Sequence, residues 1–227
     1  MAQPALSFPA FRRLSPRSRI GWLITFVLLS RFSAFATTVI PPEFDSLVQQ
    51  ADFVVRGTVK SVSSEWRDQN GHRNIVTFVQ IDVAETIAGT PPSPLILQML
   101  GGKVGDRQMI VQGAPTFTVG DEHILFIRGN GLQFTPLVAL MHGQYPIKKD
   151  AAGRSVVARS DGSPLRDENE VSLPIESHGH SSSSGATGTP PSAGSQSAPS
   201  TDTPALTAAE FASRIRASRQ KSTAARP

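Results

Sequence analysis

Residues Phe53 to Lys60 and Ile75 to Val83 alternate their side chains with a period of two, a pattern that a half-buried strand can satisfy and a helix cannot. In the first run Phe53, Val55, Gly57 and Val59 share one side, and Arg56, Thr58 and Lys60 the other. In the second, Ile75, Thr77, Val79, Ile81 and Val83 share a side while Gln80 and Asp82 face away. The polar stretch from Arg67 to Arg73 lies between them and holds Asn70-Gly71, a strong turn signal. The two runs are therefore expected to form a hairpin with a long hydrophilic tip.

Further strands are predicted at Leu95–Leu100, Arg107–Val111, His123–Ile127 and Gln133–Leu140, each set off by glycine or proline. Ile124-Leu-Phe-Ile127 is continuously apolar, as a central strand covered on both faces would be. Gly143–Lys149 and Arg154–Arg159 flank Asp150-Ala-Ala-Gly153 as a last hairpin. One short helix precedes the strands, with Phe44, Leu47, Val48 and Ala51 at i, i+3, i+4 and i+7 behind a proline pair. Many short strands and little helix predict a mainly β domain, a small barrel or sandwich, over residues 37–165.

The N-terminal 36 residues read differently. Arg12, Arg13, Arg17 and Arg19 precede the apolar run Ile20–Leu29, and Ala34-Phe-Ala36 follows. A basic region, an apolar region of about ten residues and a small-x-small site make a secretory signal. Cleavage is expected between Ala36 and Thr37. A membrane-spanning helix needs about 20 apolar residues, and Arg31 interrupts this run first, so no membrane span is expected after cleavage. Arg12-Arg13 is ordinary n-region charge, because no cofactor motif follows that would require export in the folded state. Residues 1–36 are thus a signal peptide, and the mature protein is expected in the periplasm or outside the cell.

Losing that segment changes the charge. The whole chain holds 22 basic and 18 acidic residues, net +4. Removing the five arginines of residues 1–36 leaves 17 basic against 18 acidic residues, net −1. A nucleic-acid surface needs a clustered basic face, and the mature core has none, so no nucleic-acid partner is expected. Cysteine is absent, which rules out disulfides, thiolate chemistry and a lipid-bearing cysteine after the signal.

From Arg166 the composition shifts, and residues 177–204 are dominated by Ser, Gly, Pro, Ala and Thr. Such a stretch buries too little apolar surface to offset its chain entropy, so residues 166–205 are expected to be a disordered linker. Residues 206–219 follow as a short amphipathic helix. Thr207-Ala-Ala-Glu210 is a capping box, Leu206 and Phe211 form its hydrophobic staple, and Phe211 and Ile215 make an i, i+4 apolar pair. A helix this short is marginal alone, so it is expected to dock on something, in cis or in trans. Residues 220–227 are expected to be a disordered terminus.

Candidate chemistry is sparse. Gly101-Gly-Lys-Val-Gly-Asp106 lacks the spacing and the Lys-Ser/Thr of a phosphate loop. Asp121-Glu122-His123 concentrates ligand types, but consecutive strand residues face opposite sides and cannot converge on one ion. His178 and His180 offer two imidazoles without a closed site. Carboxylate pairs such as Asp106 and Asp121 could meet in space, but separation in sequence says nothing about whether they do. No Gly-x-Ser-x-Gly, His-Glu-x-x-His or Ser-x-x-Lys occurs, so no catalytic residue, cofactor or metal is assigned.

The segment Ala51-Asp-Phe-Val-Val-Arg-Gly-Thr-Val59, with the later Val119-Gly-Asp-Glu-His-Ile-Leu-Phe126, resembles netrin-type modules, the group that includes the tissue inhibitors of metalloproteinases. The layout is also similar to that of uncharacterised exported bacterial β-domain proteins carrying a Gly-Gly-x-Val-Gly and a Gly-x-Pro-x-Phe segment, here Gly101–Gly105 and Gly113–Phe117. The likeness covers about residues 51–147 and implies an OB-like barrel. It does not carry over inhibition of metalloproteases, which in that group uses an N-terminal cysteine where this chain has Thr37.

Together these features predict an exported, non-enzymatic binding module for an extracytoplasmic protein partner, with the oligomeric state left open. The alternatives are an extracytoplasmic hydrolase or protease inhibitor on the same scaffold, and an envelope structural protein. The binding candidates are Arg67 and His72 on the hairpin tip; Gly101, Gly102, Lys103 and Asp106; Pro115 and Phe117; and, on the C-terminal helix, Phe211 and Ile215 with Arg214, Arg216, Arg219 and Lys221 nearby.

Overall fold

The computed structural model describes residues 40–69, 71–175 and 203–224. The signal segment with Ala36 and Thr37, the two histidines at 178 and 180, and most of the Ser/Gly/Pro-rich stretch lie outside the described residues.

The first helix, α1 (Phe44–Gln50), buries Phe44, Leu47 and Val48 on the face that their spacing defines. It leads into β1 (Phe53–Gln69) and β2 (His72–Ala88), an antiparallel hairpin whose strands each run for 17 residues. Gln69 pairs with His72, so two residues separate the strands and Gly71 takes φ +78°. The polar residues around them are strand rather than loop, which corrects the expected long tip. Cross-strand pairing continues through them because each such residue still offers a backbone donor and acceptor.

The sheet continues with β3 (Leu95–Leu100), β6 (Glu122–Ile127), β7 (Gln144–Lys149) and β8 (Ser155–Val157), while β4 (Gly102–Val104) and β5 (Arg107–Met109) form a separate two-stranded ribbon. All pairs are antiparallel, in the order β3-β2-β1-β6-β7-β8. The mainly β class is as expected. The six-stranded sheet is open, with β3 and β8 as its edges among the described residues.

Both faces of this sheet are covered. Strand β6 shows it residue by residue: Ile124 and Phe126 belong to the apolar cluster under the helices, and Leu125 and Ile127 to the cluster on the other face. The second cluster includes Val55, Val59, Val79, Ile81, Leu95 and Leu97, with Phe117 packed against it. Strand β1 supplies both clusters and meets β2 with three register irregularities. At the last, Val59 pairs with Ile81, Ser61 with Gln80 and Val62 with Val79, so Lys60 is an extra residue. One inserted residue reverses which side chains face inward, and beyond Lys60 the even-numbered residues turn toward the second cluster.

Residues 133–140, expected as a strand, form no strand of the sheet: Leu137 makes an isolated bridge to Ile127, flanked by main-chain bonds from Arg128 N–H to the Pro136 carbonyl and from Val138 N–H to the Phe126 carbonyl. Pro136 lacks an N–H for the ladder, and Ala139 and Leu140 adopt left-handed conformations at φ 50° and 58° before a 3-10 turn at Leu140–Gly143. The loop before it covers the β3 edge instead. The Asn130 side chain accepts from Gln98 N–H at 3.0 Å and donates to the Ile96 carbonyl at 2.7 Å, and Leu100 N–H donates to the Phe134 carbonyl at 2.7 Å. The other edge, β8, is covered by the C-terminal segment: Val157 N–H donates to the Leu206 carbonyl at 2.8 Å, and Thr207 bridges to Val156.

The first ten residues of the expected linker are packed. Asp167 caps a 3-10 helix at Glu168–Ser172, Val171 is buried, and the Arg159 guanidinium holds the carbonyls of Leu173 and Pro174. The last helix, α2 (Ala208–Ala224), runs five residues past its expected end at 219, which corrects the expectation that the terminus is disordered from residue 220. Its capping box forms as the sequence implies: Thr207 N–H donates to Glu210 Oε2 at 2.8 Å, and Glu210 N–H to Thr207 Oγ1 at 3.2 Å. Among the described residues no helix is long and apolar enough to cross a membrane.

Candidate functional site

The C-terminal helix docks in cis, and this moves two of the candidate binding residues into the core. Phe211 and Ile215 are fully buried in the helix-covered cluster. The Phe211 ring lies 5.1 Å from Tyr145, 5.8 Å from Phe44 and 6.2 Å from Phe126. The neighbouring arginines are engaged too. Arg214 meets Asp167 at 3.3 Å, Arg216 pairs with Glu85, and Arg219 donates to the carbonyls of Val48 and Ala51 at 2.8 and 3.0 Å. A polar depression of about 680 Å³ beside Arg219 therefore has its cation committed to capping the end of α1. These residues hold the fold together and present no free docking face.

The other candidates divide. Gly101, Gly102, Pro115 and Phe117 converge on one cleft of about 360 Å³. Lys103 and Asp106 are exposed on the β4–β5 ribbon and do not line it. Arg67 lies on the opposite face of β1 from the cleft residue Ser64, where it pairs with Glu65 at 2.5 Å and sits 5.3 Å over the Phe78 ring. His72 is exposed at the end of the hairpin, beyond the cleft.

The cleft is built by a sharp change of direction after β3. Gly101 and Gly102 take φ +98° and +131°, carrying the chain from the large sheet into the ribbon. Gly101 N–H donates to the Ile75 carbonyl at 2.8 Å, and Thr77 Oγ1 donates to the Gly101 carbonyl at 2.6 Å. Ser64 Oγ lies 2.8 Å from Thr77 Oγ1 and serves as its donor. A Cβ on Gly102 would fall 2.5 Å from Ser64 Oγ and closer still to Thr77 Oγ1. Gly102 is needed because side chains of β1 and β2 approach it, and Gly101 because Met109 and Val111 do.

The opposite wall is the segment Ile110–Phe117. Ala114 N–H donates to the Val111 carbonyl, Gln144 Nε2 donates to the Thr116 carbonyl at 2.8 Å, and Phe117 meets the His123 ring edge-on with centroids 5.5 Å apart. His123 is 3 % exposed, and neither of its ring nitrogens has a hydrogen-bond partner. Burial pushes its pKa below the ordinary 6.5, against the opposing pull of Asp121 and Glu122. Glu122 faces the other side of the strand and pairs with Arg56 at 2.7 Å, as alternation along Asp121-Glu122-His123 requires.

Val62, Val79, Met99, Met109 and Ile110 supply the apolar surface of the cleft. Ile110 is 76 % exposed, a large apolar side chain left at the rim. None of the lining side chains is charged or titratable in the neutral range; the polar ones are Ser64, Thr77, Gln108 and Thr116. Such a lining offers no general acid, base or nucleophile–base pair and no strong metal ligand. Among the described residues, no three His, Asp or Glu side chains gather into a metal-binding group. Sequence reading did not find Val62 and Ser64, because the odd-numbered alternation of β1 was followed only to Lys60. The apolar Met109-Ile-Val111 run was the one local signal of the rim.

No protein-family model matches the chain, and no curated protein sequence matches it.

Proposed function

We propose that this chain is an exported, non-enzymatic binding module acting in the periplasm or outside the cell, and that its cleft beside Gly101 and Gly102 takes an uncharged apolar group of an extracytoplasmic partner. The observation that carries the reading is the cleft lining: aliphatic, methionine and aromatic side chains with four uncharged polar groups and no ionisable one. Burying a charge against such walls would cost far more than burying a methyl group, so the cleft selects neutral apolar surface. The OB-like reading of the scaffold is supported by the three irregularities in the β1–β2 pairing, at Ile87 and Ala84 of β2 and Lys60 of β1, and by the loop after β6, which reaches the edge of β3 three places away in the sheet.

The test is a fluorescence titration of the full chain with Nile red, a neutral apolar dye. Saturable binding is expected, weakened at least 10-fold by Ile110→Asp or Val62→Asp, both at exposed positions. Absence of saturable binding, or equal affinity of wild type and both variants, would overturn the assignment of the cleft.

A further inference from the structure

Unpaired strand edges invite another strand, and proteins usually cover them. Here both edges of the large sheet are covered from within the chain: β3 by Asn130 and Phe134, and β8 by Leu206 and Thr207. The ribbon is treated differently. Its strand β5 pairs with β4 alone among the described residues, and Gln108, Met109, Ile110 and Val111 then run along the cleft.

The register says which groups are free. Val104 and Arg107 flank the two-residue turn at Gly105-Asp106, so they exchange hydrogen bonds, as Gly102 and Met109 do two pairs further on. Gln108, opposite Lys103, therefore points its N–H and carbonyl away from β4. Ile110 is the first residue past the end of the strand and carries the chain on along the cleft. Both residues are exposed, and their side chains belong to the cleft wall.

We infer that the outer edge of β5 at Gln108, extended through Ile110, pairs with an extended, uncharged peptide segment of the partner protein, which lays an apolar side chain into the cleft. This rests on the cleft reading above and adds the form of the ligand. Main-chain pairing supplies affinity irrespective of sequence, and the cleft selects a neutral apolar residue at one position. The single face of period-two side chains suits the edge beside this cleft better than a helix, whose main-chain donors past the first turn are spent within it.

The test uses the full chain and the probe peptide acetyl-Thr-Val-Thr-Leu-Thr-Val-Thr-amide. It is expected to displace Nile red and to slow amide hydrogen exchange at Gln108 and Ile110. Because a strand bonds its neighbour through alternate residues, N-methylation of the second, fourth and sixth residues and N-methylation of the third and fifth should differ. One set should weaken binding at least 10-fold and the other less than 3-fold. Displacement insensitive to either set, protection at the β3 or β8 edge instead, or dye binding without any competition by the peptide would overturn strand addition and leave the cleft assignment standing. Failure of both dye and peptide would overturn both. Concentration-dependent dimerisation that protects Gln108 and Ile110 without peptide would make a second copy of the chain the occupant and overturn the inference.

Discussion

Gly102 leaves no space for even a methyl group beside Ser64 and Thr77, and its φ of +131° is costly for any other residue. Gly102→Ala is expected to lower stability by about 1–3 kcal/mol, read from the urea midpoint, and to weaken dye binding because the ribbon must move. His123 makes a second residue-scale prediction. Its folded pKa lies below the ordinary 6.5, so between the two values the unfolded chain holds more protons than the folded one. The stability contributed by the neutral ring is complete above about pH 6.5 and is lost as the pH falls below it. Urea midpoints at pH 7.5 and 5 should therefore fall with pH in the wild type and less steeply in His123→Phe. Some slope should remain, since burial and then Arg159 hold His142 below its ordinary value too, outweighing Asp161. Alternation made legible that Glu122 and His123 face opposite sides of β6; the burial of His123 against Phe117 was not, because no local pattern links the two.

At the scale of elements, α2 completes the core. Phe211→Ala is expected to cost about 3–5 kcal/mol, as truncation of a fully buried aromatic does. Thr207→Ala should cost about 0.5–2 kcal/mol through loss of the cap. Removing residues 206–227 strips Phe211 and Ile215 from the cluster and frees Val157 N–H, so that chain should show no cooperative urea transition by circular dichroism. A cooperative transition near the wild-type midpoint would overturn the structural role. The helix itself was legible from Thr207, Glu210 and the Phe211–Ile215 spacing, all within one turn or two. Its docking site was not, because an apolar stripe says what kind of surface it needs and not which one. The same limit explains residues 166–175, whose polar sequence hid the burial of Val171 and the hold of Arg159 on Leu173 and Pro174.

At the scale of the molecule, the proposed export has a direct consequence. N-terminal sequencing of the protein recovered outside the cytoplasm should begin at Thr37, and an uncleaved chain or a distant start would overturn it. What the sequence by itself determined about this protein is the β class, both helices, the turn at Gly71 and the buried central strand β6. Each of these is written in a window of a few residues, where periodicity and capping act. Tertiary structure alone decided the reversal of facing after Lys60, the cis docking of Phe211, and the cleft where Ser64, Thr77 and Gly102 meet Ile110 and Phe117. Those depend on contacts between residues distant in the chain, and a single inserted residue in β1 changes which side chains take part.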